Sequence, residues 1–187
     1  MNYDWNWRFL LDTVAAGEGS YLDWLFAGLG WTVALSLAAW ALALAVGIAV
    51  GTARTLEPRW LRGPAAAWVE LFRNVPLLVQ FFLWFFVVPE LLPRDLGLWV
   101  KQDMPAKEFV TAAVCLGLFT SARVAEQLRS GIGSLPPGQR LAALALGMSL
   151  PQAYRHVILP RALRVILPPL TSEFMNVIKN SSVAYAI

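Results

Sequence analysis

Two groups of charged side chains recur at helical spacing inside otherwise apolar runs of this 187-residue chain. Arg123, Glu126 and Arg129 stand three apart, on one helix face, closing a run that is free of charge as far as Ala122. Glu173, Asn176 and Lys179 repeat that spacing in a later run. A cation within an apolar span is expensive and marks a functional site by default. The planar fork of Arg123 suits a carboxylate held through two parallel hydrogen bonds. The structural alternatives are an Arg123–Glu126 pair at i, i+3, or snorkelling toward the membrane surface. Glu173, Asn176 and Lys179 either line a path or satisfy one another within the helix. Glu70 and Arg73, also three apart, read as an interfacial pair.

Other chemistry has little to work with. His156 is the sole histidine and sits in a basic loop, far in sequence from any nucleophile. No GxxxxGK[ST], GxSxG or HExxH pattern occurs. Cys115 is the single cysteine, inside an apolar run, so it reads as a small buried hydrophobe. Nothing here forms a catalytic or metal-ligating set, and the chain reads as a non-enzyme.

The elements that carry these residues follow from composition. Hydrophobic residues make up 58% of the chain and charged ones 14%, where a soluble domain carries about a quarter. So much apolar side chain must face lipid or partner chains, and nine Trp and ten Phe suit a membrane interface. The expected fold is all-α, a polytopic transmembrane bundle. One span runs from Trp24 to Val50, a second from about Val69 to Val88 with a kink at Pro76 and an end at Pro89 and Pro93, and a third from about Phe109 to Leu128. A fourth starts at Val165 and reaches Ile187, studded with polar residues, and the chain stops within it, which suggests truncation. Between the third and fourth lie two short helices, the first over Gln139–Met148 and the second capped by Ser149 with Pro151 in its first turn.

Arg54, Arg59 and Arg62 against Glu57, and five arginines without an acid between Leu128 and Arg164, place those loops in the cytoplasm. The N-terminal tail, residues 1–23, carries Asp4, Asp12, Glu18 and Asp23 against Arg8, which is the wrong sign for a signal peptide and places the tail outside. Basic residues confined to loops are topology signals, so no nucleic-acid partner is expected.

The basic loop, residues 129–164, holds small residues and a glycine turn suited to docking, or is an ordinary amphipathic connector. Its spacing resembles the EAA loop of ABC-importer permeases, E-A-A-x3-G-x9-I-x-L-P, through Ala142, Ala143, Gly147, Leu159 and Pro160, with Val157 for the isoleucine. Leu141 departs from the pattern: it stands where the namesake glutamate usually is, and Arg140 beside it is the polar group left to compensate. Ala125, Glu126, Arg129, Gly131 and Ile132, the Arg73–Pro76–Gln80 pattern, and Lys179-Asn180-Ser181-Ser182 resemble the polar amino-acid subfamily, closest to glutamate/aspartate permeases.

That resemblance implies a transmembrane permease domain over residues 24–187 in a bacterial inner membrane, normally with a fifth span. It implies an ABC ATPase subunit on the loop, a second permease chain (a sister or a copy), a periplasmic amino-acid-binding protein, and no cofactor on this chain, ATP being bound by the ATPase. Gln80, Arg123, Glu126, Glu173, Asn176 and Lys179 become the substrate path, and Arg123, where the subfamily often has an aromatic residue, becomes the group that admits an acidic amino acid. An ATP-independent channel or carrier, or a membrane scaffold, is the alternative.

Overall fold

The computed structural model describes residues 6–15 and 17–187; Asp4, one of the acids of the tail, lies outside the described residues. Nine α-helical segments carry the described fold. Long helix α1 spans Tyr21–Ala53, α2 Arg59–Asn74, α3 Leu77–Phe82, α4 Val88–Leu91 and α5 Arg94–Gln102. The second long helix, α6, spans Lys107–Gly133; α7 is Pro137–Ala145, α8 Leu150–Ala153 and α9 Leu159–Asn180. Among the described residues there is no strand, only an isolated bridge between Thr13 and Ser20. At the start of α1 the Asp23 carboxylate accepts from the Ser20 backbone N–H at 2.8 Å, and the Ser20 hydroxyl accepts from the Asp23 N–H at 3.3 Å. This reciprocal pair satisfies two donors that the first turn would leave orphaned.

The core is the seam between α1 and α6. Leu35, Ala39, Ala43, Gly47 and Gly51 recur every four residues and are all buried, so one stripe of α1 is nearly bare backbone. A Cβ on Gly47 would stand 2.6 Å from Val124 Cβ and 2.9 Å from the Ser121 carbonyl oxygen; one on Gly51 would stand 2.7 Å from the Ala125 carbonyl oxygen. In lipid, where apolar burial alone does not drive helices together, such close approach supplies the attraction. The rest of α1 bears exposed Trp24, Leu25, Phe26, Leu29, Trp31, Val33 and Leu37, a surface suited to hydrocarbon. Helix α9 packs against both α6 and α1: Gly131 of α6 leaves space for Ile166, and Trp40 of α1 meets Phe174 with ring centroids 5.4 Å apart.

Among the described residues, only α1 and α6 are each long and apolar enough to cross a membrane. The expected second span is broken: α2 and the run 77–91 meet at 104°. Pro76 sets this break, since it holds Val75 in an extended conformation (φ −93°, ψ 125°). The same residue type shapes two π turns, Leu83–Val87 just before Pro89 and Tyr154–Ile158 just before Pro160. A proline ring clashes with the carbonyl four residues back, and an added residue in the turn relieves the clash. Pro89 therefore continues the helical path into α4 instead of ending it. The expected fourth span likewise starts early: α8, the π turn and α9 follow one another without a loop from Leu150 to Asn180. Helix α9 has the length of a span but not, alone, the apolarity, because it carries Arg161, Arg164, Glu173 and Lys179; Glu173 is turned inward.

Gly47→Val should destabilise the bundle by about 1–3 kcal/mol through overpacking, read from the detergent-denaturation midpoint. Gly28→Ala, whose Cβ meets nothing within 4 Å, should leave that midpoint where it is.

Candidate functional site

Helices α6 and α9 carry their charges to a similar depth. Arg123 lies ten residues before the end of α6 at Gly133, and Glu173 fourteen residues after the start of α9 at Leu159. At ~1.5 Å per residue these are about 15 and 21 Å of helix from the loop end of the bundle, near the middle of a hydrocarbon core about 30 Å thick. Arg123 Nη1 stands 3.5 Å from Glu173 Oε1, and its guanidinium lies 4.9 Å from the centre of the Phe119 ring. Glu173 is buried, and its other oxygen accepts from Asn176 Nδ2 at 3.4 Å.

Glu126 is held differently from the expected i, i+3 pair with Arg123. Its Oε1 accepts from Arg129 Nη2 at 2.5 Å and Nε at 3.1 Å, and its Oε2 accepts from Arg54 at the end of α1. Arg123, Glu126 and Glu173 line one cleft of about 410 Å³ together with Arg73 and Gln127. Arg73 has no ion pair among the described residues and does not bridge to Glu70. Two arginines (73 and 123) thus face two carboxylates (126 and 173) in this cleft; Glu126 is already claimed by Arg129 and Arg54, which line the neighbouring cavity, and Arg73 is left without an ion-pair partner among the described residues.

The remaining expected path residues separate. Lys179 is exposed, six residues beyond Glu173, and neither it nor Asn176 lines the cleft. Gln80 is 4% exposed, and its Nε2 donates to the carbonyls of Phe72 and Val75, both at 2.9 Å. It ties α3 to the frayed end of α2 and so holds the 104° bend. Arg54 and Arg73 were not legible as members of this region: Arg54 reads as a loop charge, and the depth of Arg73 depends on the break that follows it.

At the loop end α7 and α8 form a compact pair. Ala143 and Ala153 are buried, while Leu141 (64%), Leu144 and Leu146 (81%) are exposed, Leu141 and Leu144 along a cavity that Arg140 and Tyr154 also line. Gly147 ends α7 with φ +83°, the left-handed conformation that glycine adopts without penalty. Its N–H donates to the Leu144 carbonyl at 3.0 Å, and the Met148 N–H to the Ala143 carbonyl at 3.2 Å, the two bonds of a Schellman cap. The space around Gly147 is open, so its requirement is one of backbone angle, not of room. Next, the Gln152 side chain accepts from the Ser149 N–H at 2.8 Å and opens α8, with Pro151 in its first turn. Val157 is half-buried in the π turn; Leu159 and Pro160 begin α9.

The α1–α2 connection grips this pair. Arg140 Nη2 donates to Glu57 Oε1 at 2.7 Å, and the hydrogen bond and charge of Glu57 hold the Arg140 guanidinium above its ordinary pKa. Tyr154 OH lies 3.2 Å from the Thr55 hydroxyl and 3.3 Å from its carbonyl. A cavity of about 600 Å³ opens there, lined in part by Arg54, Arg129, Leu135, Arg140 and Tyr154.

Comparison with known proteins gives concordant results. Residues 41–187 match the family of binding-protein-dependent transport system inner membrane components. The chain is 52% identical over 189 residues to the glutamate/aspartate import permease protein GltJ of Escherichia coli (strain K12), covering all of this chain and 77% of that one. It is 36% identical over 152 residues to the probable glutamine ABC transporter permease protein GlnM of Bacillus subtilis (strain 168), covering 81% and 65%. A crystal structure of an amino acid ABC transporter with histidines superposes with a TM-score of 0.72 at 30% identity, over 89% of this chain and 72% of that chain.

Gln80→Leu should destabilise the protein by about 1–3 kcal/mol, since it strips the buried Phe72 carbonyl and the part-buried Val75 carbonyl of their donor. A denaturation midpoint equal to that of the parent would show that the bend stands without this tie.

Proposed function

We infer the function from membership: the chain belongs to the family of binding-protein-dependent transport system inner membrane components. It is a permease subunit of an ABC importer for amino acids, and glutamate and aspartate are the substrates we assign to it. The observation that carries this substrate class is the cleft at mid-depth, where Arg123 and an Arg73 without an ion-pair partner among the described residues stand together beside Glu173. A dicarboxylic amino acid brings two carboxylates and one ammonium. Arg123 offers a carboxylate its fork, Arg73 stands free for a second, and Glu173 takes the ammonium once Arg123 is engaged. The relationship to GltJ supports the same class.

In this reading residues 24–187 are the transmembrane domain, the N-terminal tail faces the periplasm, and loop 129–164 faces the cytoplasm. The loop docks an ABC ATPase, which binds and hydrolyses ATP; this chain binds no cofactor. A second permease chain, sister or copy, completes the path in the inner membrane, and a periplasmic binding protein delivers the amino acid. The ATPase contact is largely apolar. Leu141 replaces the glutamate of the loop pattern and projects beside Leu144 and Leu146, while Arg140 is already occupied by Glu57.

Arg123→Tyr should reduce glutamate uptake in proteoliposomes by about 10- to 100-fold, the scale of one lost charge-assisted hydrogen bond. Unchanged uptake would remove Arg123 from the path. At the loop, Gly147→Val should abolish co-purification of the ATPase while leaving insertion intact. Gly147→Asn should retain part of it, because asparagine tolerates the left-handed conformation better than a β-branched residue. Full ATPase retention by a stably inserted Gly147→Val chain would move the docking site elsewhere.

A further inference from the structure

Glu126 stands where the two sites meet. It lines the cleft, and the arginines that hold it, 54 and 129, line the cavity at the loop end. We propose that Glu126 is a positioning residue that couples occupancy of the cleft to the seating of the loop helices. The proposal rests on reading the cleft as the amino-acid site.

The geometry gives this carboxylate two sets of partners. Arg123 and Arg129 lie three residues to either side of it on α6, so it can turn toward the cleft or toward the loop end. In this structure it faces the loop end and is shared between Arg129 and Arg54. Arg54 closes α1 and opens the connection to α2. The next residues of that connection grip the loop helices, Thr55 through Tyr154 and Glu57 through Arg140. One carboxylate therefore fixes the strut on which α7 and the π turn are seated.

Binding of an acidic amino acid shifts this balance. Its carboxylate engages Arg123, and its ammonium draws on the carboxylates of the cleft, Glu173 and Glu126. When Glu126 turns to the ligand, Arg54 loses its partner and the strut is released from α6. Both sites then bias one element with two discrete arrangements, which is the physical requirement for coupling. Linkage makes it reciprocal: an ATPase that holds the strut in one position alters the affinity of the cleft.

The test uses the assembled complex in liposomes: this chain, its partner permease, the ATPase and the binding protein. ATP hydrolysis is measured with and without glutamate-loaded binding protein, alongside uptake of labelled glutamate. Absence of glutamate-stimulated hydrolysis and uptake in the parent complex would overturn the transport reading, and the coupling with it. Given stimulation in the parent, Glu126→Gln is expected to lower the stimulation ratio about 5-fold or more while the ATPase still co-purifies. Arg54→Gln, which cuts the strut from α6 but leaves Glu126 on Arg129, is expected to do the same. Glu126→Asp is expected to restore part of the ratio. A parental ratio in either glutamine variant would overturn the proposal. So would loss of the ATPase from both, since the triad would then hold the fold together and transmit nothing.

Discussion

A guanidinium or carboxylate placed within hydrocarbon must find its opposite, and this requirement organises the bundle. Arginine at the centre of a span is unfavourable by about 2.5–3.5 kcal/mol on insertion scales, and two charges of α6, Arg123 and Glu126, recruit partners from other helices. Glu173 turns the polar face of α9 toward Arg123 on α6, and Glu126 joins α6 to the end of α1 through Arg54. The glycine and alanine stripe of α1 lets the backbones approach, but it is compatible with sliding by one turn of small residues. The ion pairs remove that freedom, because a shift of α1 along α6 would part Arg54 from Glu126. Buried pairs contribute little net stability against apolar isosteres, and fixing register is the best-attested use of such groups.

Proline sets the second constraint. A proline within a helical path lacks a donor and displaces a carbonyl; Pro168 and Pro169 are absorbed within α9, but at three others the chain answers in one of two ways. At Pro76 the helix breaks and Gln80 supplies hydrogen bonds to the carbonyls left behind. At Pro89 and Pro160 the helix widens by a π turn and continues. The first response turns the chain by 104° and brings Arg73 to the rim of the cleft. The second joins the loop helix α8 to α9, so that Tyr154 and Glu173 belong to one nearly unbroken helical path.

These two constraints explain what was legible in the sequence. Spans α1 and α6 are written in uninterrupted apolar runs, and the loop helices in turn and cap signals: Gly147, Ser149 and Pro151. The charged face of α6 shows as a three-residue spacing. Its partners do not, because periodicity reports which residues share a face and not which helix lies opposite. Arg123 and Glu126 therefore look like a pair within one helix, whereas each is claimed by a different neighbour. Gln80 looks like a path residue for a similar reason: a polar side chain in an apolar run signals a need for a partner, and the need here belongs to the broken backbone. Proline marks where a helix is disturbed without saying whether it breaks or widens, so the kink at Pro76 was legible in place but not in size, and the continuity of α8 with α9 was out of reach.

The same reasoning bears on Leu141. A glutamate at that position, one residue from Arg140, would compete with Glu57 for the guanidinium. With leucine there, Arg140 is committed to the α1–α2 connection, and the outward face of α7 becomes leucine-rich. The loop thereby gives up a polar contact beside Arg140, whose cavity Leu141 also lines, and keeps the Arg140–Glu57 ion pair undivided. Ion pairs thus run from Arg140 of α7 to Glu57 in the connection, and from Arg54 at its start to Glu126 on α6. A departure that weakens the loop pattern as a motif thus leaves the connection between loop and bundle more singly determined.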